Sequence, residues 1–331
     1  MVKKLRYLSS CLAGAAFALV LPGATLSAQE MAKVRLAQNL SPISGVVIVA
    51  KTRGFFERQK LDVTVSNFTS GRQALETMLG GGADLATTAE APITAAAMAN
   101  QKITFLARIV HSDLKTITAT DSGIAKLADL RGKRIGFSSG TGSEVYTAEL
   151  LKRAGLTPGD VKLVSLRPQD MAAAMSANGI DAMNTWEPHV ANAKKALGAR
   201  ATELDTKGIY AETFNVVTSQ DFLAAKQDVV VRFVRAMVEA HTWMKANAEE
   251  AIADVATTVG MPRQDLAAIW ADYSYDVAID ARTTDVLKAH AGWRLETGNA
   301  PSGATMPDFT KLIFPAPLRA VAPERVSLQQ Q

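Results

Sequence analysis

Apolar and polar positions along the chain fall into two regimes. Up to residue 223 they come in short blocks, in the order apolar strand-like run, polar loop, amphipathic stretch, glycine, apolar run. KVRLAQNLSPISGVVIVAKTRGFFERQKLDVTV (33–65) and GKRIGFSSGTGSEVYTAELLKRAGLTPGDVKLV (132–164) both follow it. From Asp228 onward the pattern changes. VVVRFVRAMVEAHTWMKANAEEAIADVATTVG (229–260) repeats apolar residues at helical spacing and stops at Gly260, so helices are predicted from there towards the C-terminus.

The blocks also repeat each other in detail. GGADLATTAEAP (81–92) and NGIDAMNTWEP (178–188) each run Gly-x-Asp, an apolar stretch, Thr-x-Glu and then Pro within two residues. A helix-like segment precedes each, SGRQALETML (70–79) and RPQDMAAAMSA (167–177). Arg35 and Asp84 bound the first unit and Arg134 and Asp181 the second. Agreement of order and spacing over the whole unit predicts two similar βαβαβ lobes, each with a mainly parallel sheet. TITATDSGIAKLADL (116–130) and TFNVVTSQDFL (213–223) supply a strand leaving the first lobe and a strand returning. The first lobe is therefore expected to be discontinuous, 29–117 plus 219–331, with the helical C-terminal segment packed on it. The second lobe is expected at 118–218. Two crossing strands form a hinge, and the gap between the lobes is a cleft.

The N-terminus follows neither regime. Lys3, Lys4 and Arg6 precede the apolar run CLAGAAFALVL (11–21), and small residues follow up to Ser27-Ala28. This is the layout of a cleavable secretory leader over residues 1–28, with a run too short to span a bilayer. The only cysteine, Cys11, lies inside it, which leaves the exported part with neither disulfides nor a thiol nucleophile. Taking the three basic residues of the leader from the 36 in the chain leaves 33 against 32 acidic ones, a charge near neutrality. No basic block with interleaved aromatics marks a nucleic-acid partner. His111, His189, His241 and His290 show no metal-ligand spacing, so no metal and no cofactor are expected.

Ligands of open parallel sheets sit beyond the C-terminal strand ends, where helix N-termini present free N–H groups. The polar loops falling there are 39–42, 69–71, 87–90, 138–143 and 184–187, rich in hydroxyls and short of long side chains. The stretch GFSSGTGSE (136–144) fits three chemistries: a G-x-S-x-G nucleophile elbow at Ser138, a dinucleotide loop and an anion cradle. Thr141 and Glu144 form a capping box that starts a helix near Gly142, too far from Ser138 for an elbow. Position 145 is valine where a dinucleotide loop needs its third glycine. The cradle is the reading that remains. Trp186 follows polar Asn184-Thr185 at a strand end and reads as a pocket wall. Glu90 and Glu187 read as cap or hinge carboxylates.

AKTRGFFERQKLDVTV, DLRGKRIGFSSGTGS, GIDAMNTWEPH and the tail WRLETGNAPSGATMPDFTKLIFPAPLRAVAPERVSL together resemble the substrate-binding proteins of the nitrate/sulfonate/taurine class of ABC importers. The resemblance implies a two-lobed type II periplasmic binding fold. It also implies a periplasmic monomer that closes on a small solute and docks on a permease with its ATPase. By position it places Ser41, Pro42, Ser70, Gly71, Thr88, Ala89, Glu90, Ser139, Gly140, Thr141, Gly142, Trp186, Glu187 and Asn215 around the ligand. Backbone N–H groups and hydroxyls would hold an oxyanion, Trp186 would pack an organic body, and Glu90 or Glu187 would accept from an ammonium. The solute stays open among sulfonates, taurine-like zwitterions, carboxylates and thiamine-precursor pyrimidines. The alternatives are a secreted serine hydrolase using Ser138 and a binding protein coupled to a sensor.

Overall fold

The computed structural model describes residues 1–2 and 31–328. The expected leader, apart from its first two residues, lies outside the described residues, as does Cys11. Residues from Met31 onward form one compact unit. Among the described residues no helix is long and apolar enough to cross a membrane.

Eleven strands divide between two sheets. β1 (Ala32–Asn39), β2 (Leu61–Phe68), β3 (Leu85–Ala89) and β4 (Ile103–Asp113) open the first; β5 (Lys115–Ala119), β6 (Arg134–Phe137), β7 (Lys162–Ser165), β8 (Ala182–Thr185) and β9 (Ala201–Leu204) make the second. β10 (Ala211–Ser219) and β11 (Ser274–Ala278) then return to the first. The strand orders are β11-β4-β10-β3-β1-β2 and β7-β6-β8-β5-β9. Each lobe has the expected βαβαβ heart: β2-β1-β3 and β7-β6-β8 are parallel throughout.

The repeat seen in the sequence is the same side-chain brace built twice. Arg35 N donates to Asp84 Oδ2 at 2.8 Å and its guanidinium pairs with Asp84 Oδ1 at 2.6 Å. Arg134 N donates to Asp181 Oδ2 at 2.8 Å, and its guanidinium pairs with Asp181 Oδ1 at 2.6 Å. In both lobes the Asp just ahead of the third strand clamps that strand to the first, in the middle of β1 and at the start of β6, which fixes their register.

Two expectations need correction. Neither sheet is mainly parallel: β10 is antiparallel to both β3 and β4 and β11 to β4, and in the second sheet β5 is antiparallel to both β8 and β9. The reason is the hinge. β4 runs out towards the second lobe and β10 runs back beside it without a crossover helix, so the two must oppose each other. The crossings also fall earlier than expected. Only Leu114 separates β4 from β5, and β10 belongs to the first sheet from Ala211, which puts the boundaries at residue 114 and near residue 210.

The C-terminal helices pack on the first lobe. The helix Gln227–Ala246 buries Val230, Phe233, Val234, Met237, Ala240 and Met244, one stripe at helical spacing. Phe233 stacks on Phe56, with ring centroids 4.7 Å apart, in a core continuous with β1, β3 and β4. The second lobe has two smaller cores, one on each face of its sheet. One gathers Leu130, Ile135, Tyr146 and Leu150; the other gathers Ile117, Met171, Met175 and Met183.

Candidate functional site

Four helices begin in the loops picked out from the sequence, at Gly71, Glu90, Gly142 and His189. Ser70 is the cap of the first, accepting from Gln73 N at 3.3 Å. Gly71 is required by contact: a Cβ there would lie 2.8 Å from Thr88 Cα. Thr141 caps the third helix, accepting from Ser143 N at 3.2 Å and donating to Ser138 O at 2.8 Å. Glu144 reaches back one residue further than a standard box and accepts from Gly140 N at 2.7 Å. Gly140 has φ 73°, a conformation open to glycine at little cost.

The lobes meet across the cleft through hydrogen bonds between these loops. Ser41 Oγ donates to Glu187 O at 2.7 Å, and Arg72 Nη1 donates to Ser139 O at 2.9 Å. Lys115 pairs with Asp272 at 2.8 Å on the hinge side. Deep between the lobes lie two small cavities, each with about 10 Å³ of space for a water-sized sphere, while a recess of about 450 Å³ opens at the hinge beside Asp113, Lys115 and Glu203. Each small cavity holds about one water, so the structure is a closed form. One cavity is bordered by Ser41, Trp186, Glu187 and Glu212, the other by Asn39, Gly71, Ala89, Thr141, Trp186 and Glu212.

Of the expected residues, Ser41, Gly71, Ala89, Thr141, Trp186 and Glu187 border these cavities. Trp186 Nε1–H is buried without a hydrogen-bond partner. Ser139 and Gly140 line a larger recess of about 430 Å³ at the rim, with Arg72, Glu144 and Arg294. Pro42, Ser70, Thr88, Glu90, Gly142 and Asn215 border neither inner cavity. Pro42 O instead accepts from Tyr275 OH at 2.6 Å. Asn215 Nδ2 donates to Thr88 O at 3.3 Å, inside the first sheet.

The two expected carboxylates differ in role. Glu90 is fully buried. Its carboxylate accepts from Thr213 N and Thr213 Oγ1, both at 2.8 Å, and from the Tyr210 hydroxyl. Burial pushes its pKa up to about 7, against the pull of those donors. The Tyr210 hydroxyl also lies 3.1 Å from His290 Nε2. Burial, together with the Arg294 charge, brings His290 down to about 3, so it is neutral and makes no ion pair with Glu90. Glu187 Oε2 accepts from Ala191 N at 2.9 Å, capping the helix that starts at His189.

Glu212 was not found from the sequence. It is 4% exposed, it borders both cavities, and its carboxylate has no hydrogen-bond partner among the described residues. A Cβ on Gly142 would fall onto its Oε1, so this carboxylate lies over the N-terminus of the Gly142 helix. Burial and the nearby charge of Glu90 push its pKa well up. The available signal was a lone acidic residue at the start of an otherwise apolar and hydroxylic strand. Tyr210 belongs to the same missed set, and for Arg72, the one cation beside the predicted loops, only the cross-cleft fit shows its bond to Ser139 O.

Ser138 stands four residues ahead of its helix, and its N–H donates to Ser143 Oγ at 3.0 Å. No His or Asp side chain hydrogen-bonds to it among the described residues.

Comparison with known proteins agrees with this geometry. The chain is 30% identical over 212 residues to the taurine-binding periplasmic protein of Escherichia coli (strain K12), covering 60% of this chain and 64% of that one. It spans 66% of the length of a Brucella abortus (strain 2308) relative, at 23% identity. The alkanesulfonate-binding protein from Xanthomonas axonopodis pv. citri bound to MOPS superposes with a TM-score of 0.74 at 20% identity, covering 87% of this chain and all of that one. The periplasmic aliphatic sulphonate binding protein from Escherichia coli gives 0.69 at 21% identity, over 85% of this chain and 92% of that one. A desulfurization enzyme shares the fold as well, at TM-score 0.64 and 16% identity, over 88% of this chain and 99% of that one. The architecture is thus the two-lobed periplasmic binding fold, which by itself does not separate binding from catalysis. The family description NMT1/THI5 like matches residues 42–251, and the chain belongs to that family.

Proposed function

We propose that this chain is the extracytoplasmic solute-binding component of an ABC importer, closing its cleft on a small organic anion. The observation that carries this reading is the closed cleft itself. Helix N-termini from both lobes converge on it, and the lobes latch through Ser41 to Glu187 and Arg72 to Ser139. Free N–H groups at helix starts favour an acidic group, while Trp186 supplies an apolar wall and one indole N–H. Two strands at the hinge allow the lobes to open and admit the solute. The sulfonate-binding and taurine-binding relatives support a sulfonate or a carboxylate as that group. Residues 1–28 act as the cleaved leader, the working form is a periplasmic monomer, and the partners are a permease and its ATPase.

Thermal unfolding of residues 29–331 against small sulfonates, carboxylates, inorganic anions and pyrimidines tests the reading. A solute at 100 times its Kd adds about 2.7 kcal/mol, which raises Tm by roughly 2–4 °C in a chain of this size. The expected result is a rise with one anionic class that disappears in Trp186→Ala. No rise with any class, together with ester hydrolysis abolished by Ser138→Ala, would replace this reading with a hydrolase.

A further inference from the structure

Among the described residues four carboxyl groups border the inner cavities, and three of them are partnered. Asp113 accepts from Gly208 N, Glu187 from Ala191 N and Asp272 from Lys115. Glu212 alone has no hydrogen-bond partner among the described residues. It is buried on β10 of the first lobe, and its carboxyl packs on Gly142, which opens a helix of the second lobe. The charges that face it offer no relief. Glu90 acts on it from within the first lobe, Asp113 and Glu187 stand around the cavity, and Glu144 lies in the first turn of the helix it touches. Lys115 is committed to Asp272, and Arg72 to Glu76 and Ser139 O. Burial keeps Tyr210, Tyr273, His189 and His290 neutral. A buried charge without a partner is unfavourable, and such a group gives up its charge instead. Glu212 is therefore a neutral acid in the closed form, in line with a pKa pushed well up by burial and by the Glu90 charge.

Opening the lobes takes the Gly142 helix away from Glu212 and brings in water, where a glutamate is charged at neutral pH. Glu90 keeps its bonds to Thr213, which lies on its own lobe. Resting on the solute-binding reading above, we propose that Glu212 takes up a proton as the lobes close and donates it in a hydrogen bond to the acidic group of the solute. The proton comes from bulk water, and the only covalent bond formed is the O–H of Glu212. A protonated glutamate offers one donor. The other unpartnered donors at the cavities are neutral as well: Trp186 Nε1–H and the hydroxyls of Ser112 and Tyr273. The anion is thus met by N–H and O–H groups and not by a free cation.

The linkage has a definite sign. Glu212 is charged in the open form above about pH 4.3 and neutral in the closed one, so affinity is greatest at low pH and falls as pH rises. His189 acts in the other direction. It is held to about 4 in the closed cleft and once exposed titrates near its ordinary value of about 6.5, so closing releases its proton at low pH. At pH 7.5 that contribution is gone.

Isothermal titration with ethanesulfonate and 2-aminoethanesulfonate, each in one protonation state from pH 5.5 to 7.5, tests the proposal. Repeating it in buffers of different ionisation heat counts the protons exchanged on binding. At pH 7.5 the native protein should take up as much as one proton per solute, and Kd should rise with pH by up to about 10-fold per unit. Glu212→Gln keeps a neutral donor at the same place, so it should still bind and should take up no proton at pH 7.5. The ratio of native to variant Kd should grow as pH rises, which loss of a merely structural contact does not produce. No proton uptake by the native protein at pH 7.5 overturns the proposal and leaves the solute-binding reading standing; that measurement needs no variant. Uptake that persists in Glu212→Gln overturns it too, and its disappearance in Glu90→Gln would assign the proton to Glu90. Binding of neither probe at any pH overturns the proposal together with the reading it rests on.

Discussion

At the scale of single residues, Glu90 and the neutral histidines make stability depend on pH in opposite senses. Glu90 has a pKa near 7 in the fold, above that of an ordinary glutamate. Its contribution is therefore fully present below the unfolded pKa and is lost as pH rises through about 7. His189, buried beside the cleft, is held down to about 4, so its contribution is lost as pH falls from about 6.5 through 4. The two can be separated by difference. Urea midpoints measured from pH 4.5 to 7.5 should fall relative to Glu90→Gln as pH rises. A constant offset between the two proteins would show that Glu90 does not titrate in that window. Glu90 was legible in the sequence as a carboxylate at a helix start. Its network was not, because Tyr210, Thr213 and His290 lie more than 100 residues away in the chain. Trp186 was legible for a local reason, an aromatic placed directly after a polar strand end.

At the scale of elements, each cleft helix depends on its first residues. Thr141→Ala removes the hydroxyl that accepts from Ser143 N and should cost about 1 kcal/mol, read as a lower denaturation midpoint at unchanged m. Gly71→Ala forces a Cβ against Thr88 Cα. Because the obstacle is backbone, the strand or the helix must shift, for a loss of roughly 1–3 kcal/mol. Stability equal to the native protein would mean the helix can slide freely along β3. Both positions could be read in the sequence, since capping chemistry is local. The need for glycine at 71 could not, because the obstacle belongs to another strand.

At the scale of the whole molecule, the latch residues set the balance between open and closed lobes. Arg72→Ala removes the donor to Ser139 O without touching either lobe's core. The radius of gyration of the solute-free variant in X-ray scattering should exceed that of the native protein. Saturating solute should bring the two together. Identical radii without solute would show that Arg72 only decorates the rim.

The sequence by itself determined the two strand–helix repeats, the matching Arg and Asp positions that bound them, the helix start at Thr141 and the amphipathic helices after Asp228. All of these rest on periodicity or on spacing within one unit, which neighbouring residues impose on each other. Only the tertiary structure decided that β10 runs antiparallel between β3 and β4, that the hinge crosses at Leu114, and that Glu212 points into the cleft. These depend on pairings between distant parts of the chain, such as Ser41 with Glu187. An acid at the start of a strand looks the same in sequence whether it meets solvent or a second lobe. The closing of one lobe on the other made it a buried, unpartnered carboxylate.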